Sequence, residues 1–114
     1  MNYSFTIYPD KKLSFSTNKF YSGMHWTKRK KIADQWHNMI QLNTSNCSGM
    51  FLKPVHITMM FNNRFDIDNC AGMAKVIIDG MKGTVIKDDD KRFVKKLTLS
   101  VWEEEGIRVI VEDI

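Results

Sequence analysis

The chain is poor in cysteine, has no long apolar run, and carries few acidic residues in its first half. Its 114 residues include only two cysteines, Cys47 and Cys70, whose separation matches no metal-binding spacing. No segment approaches the roughly 18 apolar residues of a membrane-spanning helix, and the first six residues lack the basic and apolar regions of a signal peptide. These absences exclude a cysteine-ligated metal and a membrane span, and they predict a cytoplasmic protein with reduced thiols.

The scarcity of acidic residues makes the charge uneven along the chain. The net charge is +4, but residues 1–64 hold nine Lys or Arg against only Asp10 and Asp34, a local charge of +7. Residues 65–114 hold eight basic and eleven acidic residues, a local charge of −3. We therefore expect a polyanionic partner on the basic half and a separate cation site on the acidic half.

The length and the periodicity of apolar residues predict one domain over residues 1–114 with an α+β fold. Apolar residues alternate with polar ones in four segments, as in strands, and recur at helical spacing in two others. The polar segment 9–26 is predicted as a long loop. The predicted order is β-α-β-α-β-β, a small mixed sheet of about four strands packed against two helices. The predicted strands cover 3–8, 54–61, 93–101 and 107–111, and the predicted helices cover 27–42 and 68–82.

Acidic residues gather around the second predicted helix. Asp66 and Asp68 precede it two residues apart, so in an extended chain both side chains point the same way. Lys75 and Asp79 share a polar helix face with Asp68, while the opposite stripe is apolar and is predicted to enter the core. The triplet Asp88–Asp90 follows in the next turn and returns to an edge of the same domain. The apolar stripe consists of Cys70, Met73, Ala74, Ile77, Ile78 and Met81.

These carboxylates predict a bound cation, because closely spaced negative charges repel one another unless they are neutralised. Oxygen ligands favour Mg²⁺ or Mn²⁺ over Zn²⁺. An EF-hand loop is excluded, because counting from Asp66 puts Ala71 where glycine is needed and Ile77 where glutamate is needed. The structural alternatives are that Asp68 only caps the helix, that Asp79 is a solvated helix residue, and that the triplet is an ordinary acidic turn.

A basic run opens the first predicted helix. Lys28, Arg29, Lys30 and Lys31 lie in its first turn, where the helix dipole disfavours each cation by about 0.3–1 kcal/mol. Phosphate oxygens would offset this cost, because the free N–H groups and the cations both attract anions. The alternative is a solubilising charge run beside core aromatic residues. Further contacts with sugar, phosphate or unstacked bases are expected from Lys19, Phe20, Tyr21, His25 and Trp26, whereas Trp36 is predicted to be core and His37 and His56 are predicted to have no role in binding.

Together these motifs resemble the RusA family of Holliday-junction resolvases, particularly its phage-type members. Those proteins share a D-x-D-N sequence, then a helix with lysine and aspartate, then a D-D turn. The segment Asn18–Lys30 also looks like their N-terminal loop, and the resemblance covers roughly residues 15–100. The matching positions are Asp66, Asp68, Asn69, Lys75, Asp79, Asp88 and Asp89.

The resemblance implies a homodimeric, Mg²⁺-dependent endonuclease, with Mn²⁺ able to substitute, that nicks four-way DNA junctions symmetrically in recombination and repair. It implies no small-molecule cofactor. Lys75 would be the essential lysine, although it lies further from the D-x-D-N sequence than in the founding bacterial member. The residues marked as catalytic are Asp66, Asp68, Asp89 and Lys75, of which the three aspartates would bind metal. The supporting residues would be Asn69, Asp79 and Asp88, and those contacting DNA would be Asn18, Lys19, Tyr21, His25, Lys28, Arg29, Lys30 and Lys31.

Two other functions compete with a junction-resolving nuclease. A non-catalytic DNA-binding module would use its acidic residues only to shape the surface, and it predicts no Mg²⁺ site at Asp66 and Asp68. A nuclease of broader range would cut flaps, forks or replication intermediates. All three predict salt-sensitive DNA binding, so affinity does not separate them. Metal binding and the relative cleavage of junction, flap and linear duplex do.

Overall fold

Four segments with alternating apolar residues form one β-sheet, and helices pack against its apolar face. The computed structural model describes residues 2–114. The elements are β1 Asn2–Ile7, a 3₁₀ turn Lys11–Leu13, α1 Thr17–Ser22, α2 Trp26–Asn43, β2 Val55–Phe61, a 3₁₀ turn Ile67–Cys70, α3 Ala71–Met81, β3 Val94–Val101 and β4 Ile107–Asp113. The sheet order is β1-β4-β2-β3; β2 and β3 are parallel and the other neighbouring pairs are antiparallel. The predicted α+β fold with a mixed four-stranded sheet is confirmed.

The central strand β2 explains why one face of the sheet is buried. Val55, Ile57, Met59 and Phe61 are almost completely inaccessible, whereas the residues between them are half-buried, because successive side chains of a strand point to opposite faces. Strand β4 has the same alternation. Burying each large apolar side chain contributes about 1.5–3 kcal/mol, so this alternation determines which face the helices cover.

Helix α2 begins one residue earlier than predicted. The Nδ1 atom of His25 accepts a hydrogen bond from the backbone N–H of Thr27 at 3.2 Å, so His25 and not Thr27 caps the helix. Trp36 is buried, as predicted, and its Nε1 atom donates to the carbonyl of Leu13 at 2.9 Å. This bond ties α2 to the chain segment that precedes α1.

Residues 9–26 contain a helix, α1, that their polar composition does not predict. Its N-terminal cap is Ser16, whose hydroxyl accepts from the backbone N–H of Lys19 at 3.3 Å. Phe15 and Phe20 are buried and stack with their ring centres 3.9 Å apart. The prediction of a loop here is wrong because a six-residue helix is too short to show a helical repeat of apolar residues.

Helix α3 begins later than predicted, because Asp68 belongs to the 3₁₀ turn that precedes it. Asp68 therefore does not cap α3. The predicted apolar stripe is confirmed, since all six of its residues are buried. Beyond the helix, Gly83 has a φ of 85°, a conformation that glycine adopts without strain, so the chain turns where the sequence predicts.

The C-terminal half of α3 lies against α2. A Cβ atom added at Gly80 would lie 2.8 Å from the Cβ of Ile40, so the absence of a side chain permits this close approach. The side-chain amide of Gln41 donates to the carbonyls of Gly80 and Lys82 at the end of α3. These contacts fix the position of the helix end with respect to α2.

The two cysteines of the described chain form no disulfide. No helix within residues 2–114 is both long and apolar enough to cross a membrane. Cys47 and Cys70 are free thiols, and burial raises the pKa of Cys70 above its usual value.

Candidate metal and nucleic-acid site

The two groups of acidic residues lie at opposite ends of the sheet. Asp66 and Asp68 follow the end of β2, whereas Asp88–Asp90 precede the start of β3. Because β2 and β3 are parallel, and the seven residues of β2 span roughly 20 Å, the structure does not bring Asp89 to Asp66 and Asp68. Within residues 2–114, no three His, Cys, Asp or Glu side chains form a group placed to hold a metal ion.

One pair of carboxylates does come together. The carboxyl groups of Asp79 on α3 and Asp89 in the turn before β3 lie close enough for a hydrogen bond when one of them is protonated, and about a quarter of each side chain is exposed. Burial and then this hydrogen bond raise the pKa of Asp79, while the same bond lowers the pKa of Asp89 to about 2. When the two groups hold one proton, it resides on Asp79, which donates to Asp89. We call these two residues the acidic pair.

Two lysines neutralise part of the charge of the acidic pair. The Nζ atom of Lys75 lies 3.4 Å from the carboxylate of Asp79, one helical turn away, as the sequence spacing predicts. The Nζ atom of Lys82 lies 3.2 Å from Asp89 and 3.8 Å from Asp88. Its hydrogen bond with Asp89 raises the pKa of Lys82. The acidic pair is therefore held between cations contributed by the middle and the end of α3.

The three acidic residues of the turn have different partners. Asp88 accepts a hydrogen bond from the backbone N–H of Asp89 at 2.8 Å. Asp90 accepts from the backbone N–H of Arg92 at 2.9 Å and from its guanidinium at 2.7 Å, and these bonds lower the pKa of Asp90. Asp89 is thus the member of the triplet that lies beside Asp79 of α3, and it is also the member that the RusA resemblance marks as a ligand.

The D-x-D-N turn, residues 66–69, is more open. Asp66 and Asp68 are exposed, and Asp66 makes no capping hydrogen bond to the 3₁₀ turn after it. The carbonyl of Asn69 accepts from the hydroxyl of Thr17 at 2.9 Å, which joins this turn to the start of α1. Helix α1 therefore lies beside the first turn of α3, where Thr17 and Tyr21 both approach Gly72.

The predicted DNA-contacting residues lie on α1, at the cap of α2 and in the first turns of α2. No acidic residue occupies the first turn of α2, so no carboxylate in that turn offsets the positive charge of its basic residues. Lys30 pairs with Asp34 at 2.9 Å one turn later. Arg29 lies over the ring of Tyr21, with 5.9 Å between the guanidinium carbon and the ring centre. Exposed positions are held by Asn18, Lys19, Tyr21, His25, Lys28, Lys30 and Lys31.

A groove of about 320 Å³ lies between α1, α2 and α3. Tyr21 contributes its α1 wall, and Trp26, Arg29 and Lys30 contribute to its α2 wall. Asp79 forms part of the α3 wall. The groove therefore joins the basic and aromatic residues of the first half of the chain to Asp79, one member of the acidic pair.

The acidic pair suits a magnesium ion by its chemistry. Mg²⁺ in proteins is usually bound by one or two carboxylates together with substrate phosphates and water, rather than by a cage of protein ligands alone. Asp79 and Asp89 lie within hydrogen-bonding distance of each other, where a divalent cation would neutralise the negative charge of both carboxylates. These two carboxylates would meet that requirement if a bound phosphate group supplied the remaining oxygen ligands, even though Asp66 and Asp68 do not join them.

Two residues near the acidic pair and groove were not predicted to belong there. His37 lines the groove. The sequence does indicate this position, because Trp26, Arg29, Ala33 and His37 recur three or four residues apart and so share one face of α2. Lys82 contacts the acidic pair only because the turn after α3 folds back toward it. No local pattern reveals that path.

Comparison with known proteins adds no family assignment. No protein-family model matches this chain, and no curated protein matches it. The RusA resemblance therefore rests on the motifs quoted above.

Proposed function

We propose that the protein is a Mg²⁺-dependent endonuclease that cleaves branched DNA, with four-way junctions as the substrate that the RusA resemblance implies. The observation that carries this proposal is the groove that connects cations and exposed aromatic rings with Asp79, which lies beside the second carboxylate, Asp89. The cations attract the phosphate backbone, and the carboxylates suit a divalent cation beside it. The site of action would be the cytoplasm of a bacterial or phage-infected cell.

In this proposal Asp79 and Asp89 hold the ion, and Asp66 and Asp68 form a second carboxylate position at the other end of α3. When bound, Mg²⁺ supplies charge stabilisation at a phosphoryl oxygen and eases deprotonation of the attacking water. Lys75 lies beside the acidic pair, where its ammonium group stabilises negative charge that develops on the scissile phosphate.

The basic run acts on the unreactive part of the substrate. Lys28, Arg29, Lys30 and Lys31 bind backbone phosphates, which positions the strand without reading its sequence. Such contacts weaken as counterions are added, so binding falls steeply with salt concentration. The basic run therefore determines where DNA lies, and the acidic pair determines where it is cut.

A homodimer is part of the proposal, because a four-way junction has two strands of equivalent geometry to cut. Strand β3 is an edge of the sheet, and it exposes Leu97 by 42% and Val101 by 70%. An open strand edge with exposed apolar side chains is a surface that commonly pairs with another chain. We propose this edge as the contact between the two copies.

A synthetic four-way junction incubated with Mg²⁺ tests the nuclease. We expect paired, symmetric nicks from the wild type, almost none from Asp89→Asn, and wild-type cleavage from Glu104→Gln, which changes an exposed carboxylate in the turn between β3 and β4. The absence of cleavage by the wild type, or undiminished cleavage by Asp89→Asn, would refute the proposal. Parallel reactions on flap and linear duplex DNA establish whether the range is broader than junctions.

The rival with a supporting observation is a non-catalytic DNA-binding module. Lys75 and Lys82 already pair with the acidic residues, so those residues have a structural role without metal. Calorimetric titration with Mn²⁺ separates the two functions. The nuclease predicts a site that Asp89→Asn removes and Glu104→Gln retains, whereas the binding module predicts no site in any of the three proteins.

A further inference from the structure

The groove between α1, α2 and α3 has the dimensions of a small-ligand site. Its volume of about 320 Å³ lies near the lower end of the range of roughly 300–1,000 Å³ for such sites. Three separate helices contribute its walls, and these helices are held together by the buried ring of Phe20 and by the approach of Gly80 to Ile40. The groove is therefore a built feature of the fold rather than a gap between side chains of one surface loop.

Two aromatic rings in the groove are unusually accessible. Trp26 is 61% exposed and Tyr21 is 45% exposed, although large aromatic side chains are normally buried well beyond this. Phe20 and Trp36, on the same two helices, are buried in the core. The exposure of Tyr21 and Trp26 is therefore specific to these two positions. Exposed rings of this kind form the stacking surfaces on which proteins bind unpaired nucleic-acid bases.

The charges around these rings suit a phosphate. Arg29 lies over Tyr21, and its Nη1 atom is 3.5 Å from the Tyr21 carbonyl, so its guanidinium is held at the groove. Lys30 is part of the same wall, where Asp34 partly neutralises it. Lys28 and Lys31 are exposed on the flanking turns of α2. A cation beside an aromatic surface is the combination that single-stranded nucleic acid uses.

His37 adds an independent indication of a ligand. It lines the groove, yet its Nε2 atom is buried and has no hydrogen-bond partner within residues 2–114. Leaving a buried polar atom without a partner is unfavourable, because the atom loses its hydrogen bonds with water and gains none in return. If the His37 imidazole turned toward the groove, the polar edge of a bound base would supply the hydrogen bond that Nε2 lacks.

We propose that the groove holds one unpaired nucleotide of a DNA strand, with its base against Trp26 and Tyr21 and its phosphate at Arg29. The inference rests on DNA being the partner under the proposed function, and it adds how the strand is held beside Asp79. A base pair inside a duplex has both faces covered by its neighbours, so only an unstacked base fits. Unstacking costs least where pairing is already interrupted, as at a branch point.

Binding of labelled oligonucleotides in the presence of EDTA tests this inference without any cleavage. The probes are a fluorescein-labelled oligothymidylate, the same strand with abasic sites, and a duplex of equal length, each followed by anisotropy. We expect Trp26→Ala to weaken binding of the oligothymidylate about tenfold, because stacking of a base on one aromatic ring contributes this much or more. Binding of the duplex and of the abasic strand should change by less than twofold.

Two further variants serve as controls for folding and specificity. Trp26→Phe keeps a ring in the groove and should retain most of the affinity for oligothymidylate. Tyr8→Ala removes a ring that is 65% exposed but does not line the groove, and it should bind all probes as the wild type does. Equal weakening of duplex and oligothymidylate by Trp26→Ala, or an effect of Tyr8→Ala as large as that of Trp26→Ala, overturns the inference.

The outcome is independent of the test of nuclease activity. A protein that binds oligothymidylate through Trp26 but cuts no junction retains the nucleotide site and loses the proposed enzymatic function. A protein that cuts junctions while Trp26→Ala binds every probe normally retains the nuclease and loses the nucleotide site.

Discussion

The aspartates at the two ends of α3 have different surroundings, although all of them come from one stretch of the sequence, residues 66–89. Asp66 and Asp68, before the helix, are exposed. Asp79 and Asp89, near its C-terminal end, are partly buried, lie beside each other and contact two lysines. The comparison shows that carboxylates adjacent in sequence are not the ones that the fold brings into contact.

The difference arises from what each end of the helix packs against. At the start of α3 the carboxylates project from a turn whose backbone is tied to Thr17, and their side chains face solvent. At the C-terminal end the turn before β3 folds back on the helix, and the groove opens beside it. Partial burial strengthens electrostatic interactions, so under the proposed function the C-terminal end is the one that would hold a cation better.

Neutralising the aspartates of each end separately is the strongest test of the difference between the two ends of α3. We expect the double variant Asp79→Asn/Asp89→Asn to lose Mn²⁺ binding and to reduce junction cleavage by more than about 100-fold, because both carboxylates of the acidic pair are removed. The double variant Asp66→Asn/Asp68→Asn should still bind Mn²⁺ and lose about tenfold in cleavage. Calorimetry and single-turnover cleavage measure the two effects.

Equal losses from the two double variants would contradict a difference between the ends. They would indicate that all four carboxylates serve one site, as the RusA resemblance implies for Asp66, Asp68 and Asp89. The two copies of a dimer would then have to share the site, or the turn before β3 would have to move. Mixing the two inactive variants distinguishes these cases, since only a site shared between copies regains activity on mixing.

Alanine substitutions of two glycines compare how tightly the ends of α3 are packed. We expect Gly80→Ala to lower the free energy of unfolding by about 1–3 kcal/mol, because its new Cβ would lie 2.8 Å from the Cβ of Ile40, an atom attached directly to the backbone of α2. Gly72→Ala should cost less than about 1 kcal/mol. Its Cβ would be 3.1–3.2 Å from the edges of aromatic rings and the hydroxyl of Thr17, and alanine favours the helix by roughly 0.5–1 kcal/mol.

Urea unfolding of both glycine variants measures these costs. If Gly72→Ala were the more destabilising, the contact of α1 with the start of α3 would be packed more tightly than the contact of α2 with the C-terminal end of α3. Gly83→Ala is the reference for backbone strain alone, because a Cβ at that position meets no atom within 4 Å while φ is 85°.

The sequence predicts the elements of this fold better than the geometry of the site. Alternation in β2 and the apolar stripe of α3 are local patterns, and both predictions are confirmed. Helix α1 escapes prediction because its six residues are fewer than two full helical turns. The meeting of Asp79 with Asp89 depends on β3 pairing parallel to β2, which is a contact between distant segments that no local pattern encodes.

Removing Lys82 sharpens the distinction between a structural ion pair and a cation site. We expect Lys82→Gln to tighten Mn²⁺ binding by about two- to fivefold, because the ammonium group at 3.2 Å competes with the ion for Asp89, and a partly exposed ion pair contributes at most about 1 kcal/mol. Lys96→Gln, which changes an exposed lysine of β3, is the control and should leave the affinity unchanged. Weaker Mn²⁺ binding by Lys82→Gln would instead show that Lys82 helps to build the site.

The smallest expected effect is a change in the acid dependence of stability, confined to the acidic pair. The pKa of Asp89 is lowered from 3.8 to about 2, so its contribution to stability is present above pH 3.8 and is lost as the pH falls toward 2. The pKa of Asp79 is raised, chiefly by burial, so its ionisation costs stability at neutral pH, and this cost is relieved as the pH falls through the raised value. On acidification the free energy of unfolding of the wild type should therefore rise slightly and then fall. The net change should be about 1 kcal/mol, because the opposite shifts partly cancel. Urea midpoints measured from pH 7 to pH 2 should show the initial rise in the wild type and in Asp68→Asn but not in Asp79→Asn, and a rise that persists in Asp79→Asn would assign it to carboxylates outside the acidic pair.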